Sequence, residues 1–368
     1  MSECKCSGLT VGDNINRLIP YRPGKPIEEV KRELGLTEVI KLASNENPLG
    51  ASAKVQEAIC EAAKQVHLYP DGACFELREA MSAHLGVPGD HLIFGNGSDE
   101  LIELLGLTFL KPGDELLQGD PSFVRYESAA ILNEAPCIKI NLKNWVHDVR
   151  AIAEAITPKT RLIYIANPNN PTGTIITHQE LAGLLGSVPK RAIVVMDEAY
   201  YEYVENPDAP RTLDLVKEGY NVIALRTFSK AYALAGLRIG YGIAKPEIIH
   251  YLNQVREPFN VNLIAQAAAV AALNDNEHLQ LTLKTNSEGK QLFYETFEEM
   301  GLPYTKSEGN FVWVDVKRDC NEVFQMLLRL GVITRTGDIF GAPTHLRVTI
   351  GAPEENEKFL AALNTVLL

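Results

Sequence analysis

The first guide to this chain is what it lacks. Its 368 residues contain no apolar run of roughly 18 residues, and the opening segment carries Glu3 and Asp13 with no apolar h-region. Neither a membrane-spanning helix nor a secretory signal is expected. Cysteine is scarce and unpaired: Cys4, Cys6, Cys60, Cys74, Cys137 and Cys320 are scattered without a C-x-x-C pair. That pattern excludes a disulfide framework and a zinc ribbon, and it fits a reducing cytosol. Cys4-Lys5-Cys6 has no histidine near it in sequence and reads as an ordinary chain end, and the eight histidines show no H-x-x-x-H or H-E-x-x-H spacing. No metal site is expected. Basic excess is also missing, since 35 Lys and Arg stand against 47 Asp and Glu for a net charge of -12. This opposes broad attraction to nucleic acid or to an anionic membrane surface, so an anionic small ligand must be held by a few local cations.

What is present is an ordinary globular composition, 46% hydrophobic and 22% charged, over a length that predicts two domains. Val55, Ala58, Ile59, Ala62 and Val66 recur at spacings of three and four, which predicts an amphipathic helix over 51–66. A second helix is expected from Ser98-Asp99 through Leu101, Ile102, Leu104, Leu105 and Phe109 to the stop at Lys111-Pro112-Gly113. Between 160 and 245 the pattern changes to short β-branched runs: 162–165, 193–196 and 222–225, separated by helix-length polar stretches. Runs apolar on both faces predict buried parallel strands in βαβ units. After Glu257-Pro258 an Ala-rich stretch at 264–273 leads into a charged helical region and strands near 310–316 and 345–350. The expected organisation is an N-terminal arm at 1–32, a large α/β domain at 33–256 and a small α+β domain at 257–368.

In open α/β sheets, ligands gather beyond the carboxyl ends of the strands. The first run leads into Asn167-Pro168-Asn169-Asn170-Pro171-Thr172-Gly173, the second into Asp197-Glu198-Ala199-Tyr200, the third into Thr227-Phe228-Ser229-Lys230. Singly, these read as a Pro-Gly turn, a capping Asp and a surface lysine. Together, with Arg238 eight residues beyond Lys230, they resemble the signature set of the fold-type-I pyridoxal-phosphate (PLP) aminotransferases. More narrowly, Tyr21-Arg22-Pro23-Gly24-Lys25, Ser44-Asn45-Glu46-Asn47-Pro48, Tyr69-Pro70-Asp71-Gly72, Gly95-Asn96-Gly97-Ser98-Asp99-Glu100, Phe259-Asn260-Val261-Asn262 and His345-Leu346-Arg347-Val348-Thr349 resemble the histidinol-phosphate aminotransferase family.

The resemblance covers nearly the whole chain and implies a mostly parallel central sheet in the large domain. It also implies a role for each residue, and each role has a physical logic. Lys230 is expected to carry the cofactor, because a lysine in a partly dry pocket supplies the amine for its aldehyde. Asp197 is assigned to the ring nitrogen, which must stay protonated if the ring is to act as an electron sink. Asn170 and Tyr200 are expected at the phenolic oxygen, and Phe123 against the ring face. The phosphate is assigned to the N–H groups of Ser98 and Asp99, the hydroxyls of Thr227 and Ser229, and Arg238, with Gly97 allowing close approach. A dinucleotide fingerprint is disfavoured, since Glu100 stands where its third glycine belongs. Tyr69 is expected to reach the cofactor phosphate of the partner subunit in a homodimer. Substrate binding is assigned to Tyr21, Asn310, Arg335 and Arg347; two arginines can grip a phosphate dianion, and equally an α-carboxylate.

The implied reaction converts histidinol phosphate and 2-oxoglutarate to imidazole-acetol phosphate and glutamate, ping-pong through pyridoxamine phosphate, in the cytoplasm. Aromatic amino-acid transamination, and a phosphothreonine-type decarboxylase on the same scaffold, stay open as alternatives. A PLP-sensing transcription regulator is set aside, because the residues before Ser44 hold no helix-turn-helix and no basic stripe.

Overall fold

The three β-branched runs lie side by side in a seven-stranded sheet in the computed structural model, which describes residues 10–20 and 24–368. Its strands are β1 (Leu92–Gly95), β2 (Glu115–Asp120), β3 (Cys137–Asn141), β4 (Thr160–Ala166), β5 (Ile193–Asp197), β6 (Val222–Thr227) and β7 (Gly240–Ala244). The order is β1-β7-β6-β5-β4-β2-β3, parallel except that β7 runs against both its neighbours. The pleat sends alternate residues of each run to opposite faces of the sheet. Leu162, Tyr164, Val195, Ile223 and Leu225 pack under α1 (Ser98–Phe109), while Ile163, Ile165, Val194 and Met196 pack with Leu181 and Leu184 on the other face.

The small body is an antiparallel sheet of β8 (Phe311–Asp315), β9 (Arg335–Thr336) and β10 (His345–Thr349), in the order β9-β10-β8. Phe293, Phe297, Leu327, Phe359 and Leu363 from three helices fill its core against Val312, Val314 and Val348.

The packing departs from a cut at 256/257 in two places. Helix Leu263–Leu273 sets Ala265, Ala268, Ala269 and Ala272 against Phe94, Phe228 and Tyr241 of the large body. An alanine face is defined by what lies opposite it, which chain order does not reveal. In the other direction, Ile40–Lys41 pairs in parallel with Val332–Ile333, and Leu42 joins the small body's core.

Candidate active site

At the carboxyl ends of the parallel strands is a cavity of about 420 Å³. Ser98, Asp99, Phe123, Asn170, Asp197, Tyr200, Thr227, Ser229, Lys230, Arg238 and Arg347 all line it. Sequence places these residues on six separate segments, and the strand order of the large sheet, with Arg347 added from the small body, brings them to one crevice.

Asp197 ends the central strand β5 and is buried. Tyr126 donates to its Oδ2 at 2.6 Å, and the Ala199 N–H donates to Oδ1 at 3.2 Å. Burial raises its pKa to about 6, and those two hydrogen bonds pull the other way. The next residue, Glu198, accepts from Arg226 Nε at 2.8 Å, and both side chains are buried. That pair fixes β5 to β6 just before Thr227, and so sets the spacing between Asp197 and Lys230.

The Lys230 Nζ donates to the Ser44 carbonyl at 3.1 Å and lies 5.7 Å from the centre of the Tyr200 ring. Burial, reinforced by the positive charge of Arg347, lowers its pKa to about 8. The Tyr200 hydroxyl accepts from Asn45 Nδ2 at 2.9 Å.

The opposite end of the cavity is a cradle of backbone. Gly97, at φ +76°, caps α1, and a Cβ there would lie 2.5 Å from an Arg238 Nη. Gly240 is paired with both Gly95 and Thr227, and a Cβ on it would lie 2.5 Å from the Ser98 nitrogen. Side chains at either position would fill the space over the first N–H groups of α1, which a helix start leaves without intrahelical partners. Arg238 is held beside them, with Nη2 3.5 Å from Asp99 Oδ2.

A second cavity of about 780 Å³ shares Phe123, Arg125, Asn170 and Arg347 with the first, and is further lined by Leu18, Ile19, Pro20, Arg335 and Phe340. Arg347 stands at the junction, donating to Asn170 Oδ1 and to the Ala43 carbonyl, each at 2.5 Å. Arg335 and Arg347 are direct cross-strand partners on β9 and β10. Like charges directly opposite each other oppose sheet formation, so such a pair is suited to an anion lying across both. The loop carrying Asn170 is tied to the small body: the Glu308 N–H donates to the Gly173 carbonyl at 2.8 Å, and Thr305 Oγ1 donates to the Thr172 carbonyl. Gly173 has φ +73°, and a Cβ there would come within 2.2 Å of Ser307 Oγ.

Two expected residues are not brought to these cavities. Asn310 is buried one layer behind, where it donates to the Asn45 carbonyl at 3.0 Å. The reason for this placement is physical: its position in the sequence gives the strand entrance, but its side chain turns inward to satisfy backbone. Tyr69 is 83% exposed and stacks on Phe259, with centroids 5.0 Å apart, away from its own chain's cavity. Tyr21 lies outside the described residues. Four residues at these cavities carry no role that the sequence alone assigns. Asn45 sits in a quoted motif, and Gly240 follows Arg238 closely. Tyr126 and Arg125 carry no signal that separates them from a core tyrosine and a surface arginine.

The comparisons agree with this architecture. The aminotransferase class I and II family matches residues 37–363. The chain is 55% identical to the histidinol-phosphate aminotransferase of Moorella thermoacetica, over 95% of this chain and 90% of that one. It is 51% identical to that of Caldicellulosiruptor saccharolyticus, over 96% and 99%. The solved histidinol-phosphate aminotransferase of Sinorhizobium meliloti, in complex with pyridoxal-5'-phosphate, superposes with a TM-score of 0.90 at 26% identity over 98% of each chain. By sequence over nearly its whole length and by fold, this chain belongs to the class I and II aminotransferases, in their histidinol-phosphate aminotransferase branch.

Proposed function

We propose that this protein is a PLP-dependent transaminase that moves the amino group of histidinol phosphate to 2-oxoglutarate in two half-reactions. The observation that carries this reading is the junction at Arg347, where a cavity holding a buried lysine and carboxylate opens onto one holding a second arginine. Relatives at 43–55% identity bear the histidinol-phosphate name, which favours that donor over aromatic amino acids and phosphothreonine.

The donor set fits the cofactor: a buried carboxylate, a lysine of lowered pKa, and a glycine-bounded cradle whose space a Cβ would fill. Asp197 would face the ring nitrogen, Asn170 and Tyr200 the phenolic oxygen, and Phe123 the ring. Ser98, Asp99, Thr227, Ser229 and Arg238 would surround the phosphate over Gly97. When bound, the cofactor supplies a carbonyl for amine exchange and a ring that withdraws electrons from the substrate carbon. Lys230 Nζ, its pKa lowered to about 8 by burial and the charge of Arg347, would hold the cofactor and, once displaced by the substrate amine, would take the proton from the substrate carbon and return it. Arg347 and Arg335 hold the phosphate of histidinol phosphate across the β9–β10 pair. In the second half-reaction Arg347 holds the α-carboxylate. Asn170 orients Arg347 through the bond to its Oδ1.

A homodimer belongs to this reading. Val66, Leu68, Tyr69, Phe75 and Phe259 are exposed apolar side chains, and covering them with a second copy would carry Tyr69 toward the partner's phosphate cradle. A cytosolic setting is supported by the four free cysteines among the described residues, and no helix there is long and apolar enough to cross a membrane. The deciding experiment is a single half-reaction. PLP-loaded protein mixed with histidinol phosphate should lose the visible band of the cofactor far faster than with phenylalanine, tyrosine or phosphothreonine. Equal or faster conversion with an aromatic donor would replace histidinol phosphate as the substrate.

A further inference from the structure

Ser44 and Asn45 form a short segment between the two bodies, and the Asn45 side chain, which lines the active-site cavity, is bonded on both sides. It is 1% exposed and holds a left-handed backbone, φ 55°, that non-glycine residues rarely adopt. Its backbone N–H donates to Thr349 Oγ1 at 2.9 Å, and the Thr349 hydroxyl donates to Asn45 Oδ1 at 2.9 Å. Its carbonyl accepts from Asn310 at 3.0 Å, and its Nδ2 reaches the Tyr200 hydroxyl at 2.9 Å. One residue earlier, the Ser44 carbonyl accepts from Lys230. Such strain persists only where surrounding bonds impose it, and here they come from both bodies.

Hydrogen-bond polarity follows from this set. Thr349 Oγ1 accepts the backbone N–H and gives its one hydrogen to Oδ1, so in this arrangement the amide presents its NH₂ to Tyr200. A phenol that accepts at its oxygen points its own hydrogen in another direction. We propose that Asn45 is a positioning residue that fixes Tyr200 as a hydrogen-bond donor toward the cavity. The reading rests on the assignment of Tyr200 to the cofactor's phenolic oxygen. Because Thr349 and Asn310 belong to the small body, the polarity of Tyr200 is set by contacts made only when that body is seated. Among the described residues, the charged groups that line the cavity with Tyr200 are Lys230, Asp197, Asp99, Arg125, Arg238 and Arg347.

The test uses the PLP-loaded protein and reads the pH midpoint of the cofactor's visible absorption band, with cofactor affinity and thermal midpoint followed in parallel. In Asn45→Asp the carboxylate can only accept, so the Tyr200 hydrogen turns toward it and away from the cavity. The midpoint should rise by about one unit, in the same direction as in Tyr200→Phe. Asn45→Gly suits the left-handed backbone, removes the amide, and should give a smaller rise. A new negative charge alone would also raise the midpoint, so the double variant N45D/Y200F is required. Its midpoint should equal that of Tyr200→Phe. An Asn45→Asp shift that persists in full on the Tyr200→Phe background overturns the inference, as does no shift at all, the result the opposite amide orientation gives. An unshifted Tyr200→Phe overturns this inference together with the role of Tyr200, whereas a shifted Tyr200→Phe beside an unmoved Asn45→Asp overturns this inference alone.

Discussion

The two ends of the joined cavity are built differently. The end holding Lys230, Asp197 and Arg238 is made by consecutive strand termini of one sheet, with Gly95, Thr227 and Gly240 in adjacent register. The end holding Arg335 is made by a two-residue strand, a segment of the N-terminal arm at 18–20, and Arg347 reaching across from the small body. A rigid parallel sheet places its side chains through backbone hydrogen bonds alone, so chemistry that must not move belongs there. The substrate end depends on contacts between bodies and can be altered one contact at a time.

The sharpest way to break this contrast is at the rigid end. Lys230→Ala should lower turnover by about 10⁴-fold or more, and borohydride reduction followed by peptide mapping should place the pyridoxyl group on Lys230 in the parent protein and on no other lysine. Asp197→Asn should be nearly as damaging to turnover while stabilising the cofactor-free fold. Burial holds the Asp197 pKa at about 6, above its ordinary 3.8, so the native state binds the extra proton between those values, and stability falls as pH rises through that window. The penalty above pH 6 is on the order of 3 kcal/mol. Denaturant unfolding of the cofactor-free proteins should therefore favour Asp197→Asn at pH 8 and show no difference at pH 3.5.

At the adaptable end the losses should be smaller and substrate-dependent. Arg347→Ala should damage both half-reactions by roughly 10²-fold, while Arg335→Ala should weaken histidinol phosphate by about tenfold and leave glutamate almost untouched. Half-reaction rates with each donor separate the two, and equal losses in Arg335→Ala would erase the asymmetry. The dimer reading is met by mixing Lys230→Ala with Tyr69→Ala subunits. If Tyr69 reaches across, one intact site re-forms and about half the parent activity per heterodimer returns; if it serves its own chain, the mixture stays nearly inactive. The smallest effect is expected from Thr305→Val, which removes a bond between the bodies and should cost about 1 kcal/mol by thermal unfolding with turnover reduced less than threefold.

The rigid end was also the legible one. Each loop after 162–165, 193–196 and 222–225 could be read beside its strand, because strand and site residues are neighbours in the chain. Tyr126 was not legible: a tyrosine on the first turn of an ordinary helix becomes a partner of Asp197 only because Arg125–Leu132 packs over β2 and β3 and lets Tyr126 reach β4, where it stacks on Tyr164 at 4.4 Å. The fate of Asn310 was hidden for the same reason, since its partner lies 265 residues away. The boundary at 256 followed a visible Glu-Pro break, but the alanines after it belong to the earlier body, and alanine carries too little side-chain character to say so.

The loop from Asn170 to Gly173 has a further consequence. Asn170 holds Arg347, Thr172 and Gly173 accept from Thr305 and Glu308, and Gly173 leaves no room for a side chain against Ser307. Within four residues, the loop that lines the cofactor cavity is stitched to the body that supplies the substrate arginines. A shear between the bodies therefore travels as tension in one short hinge strap rather than as independent loosening of two sites. Amide exchange in 169–174 and in 305–308 should rise and fall as one unit, and looseness at the substrate end would be felt at the cofactor's doorstep before any strand of the sheet has moved.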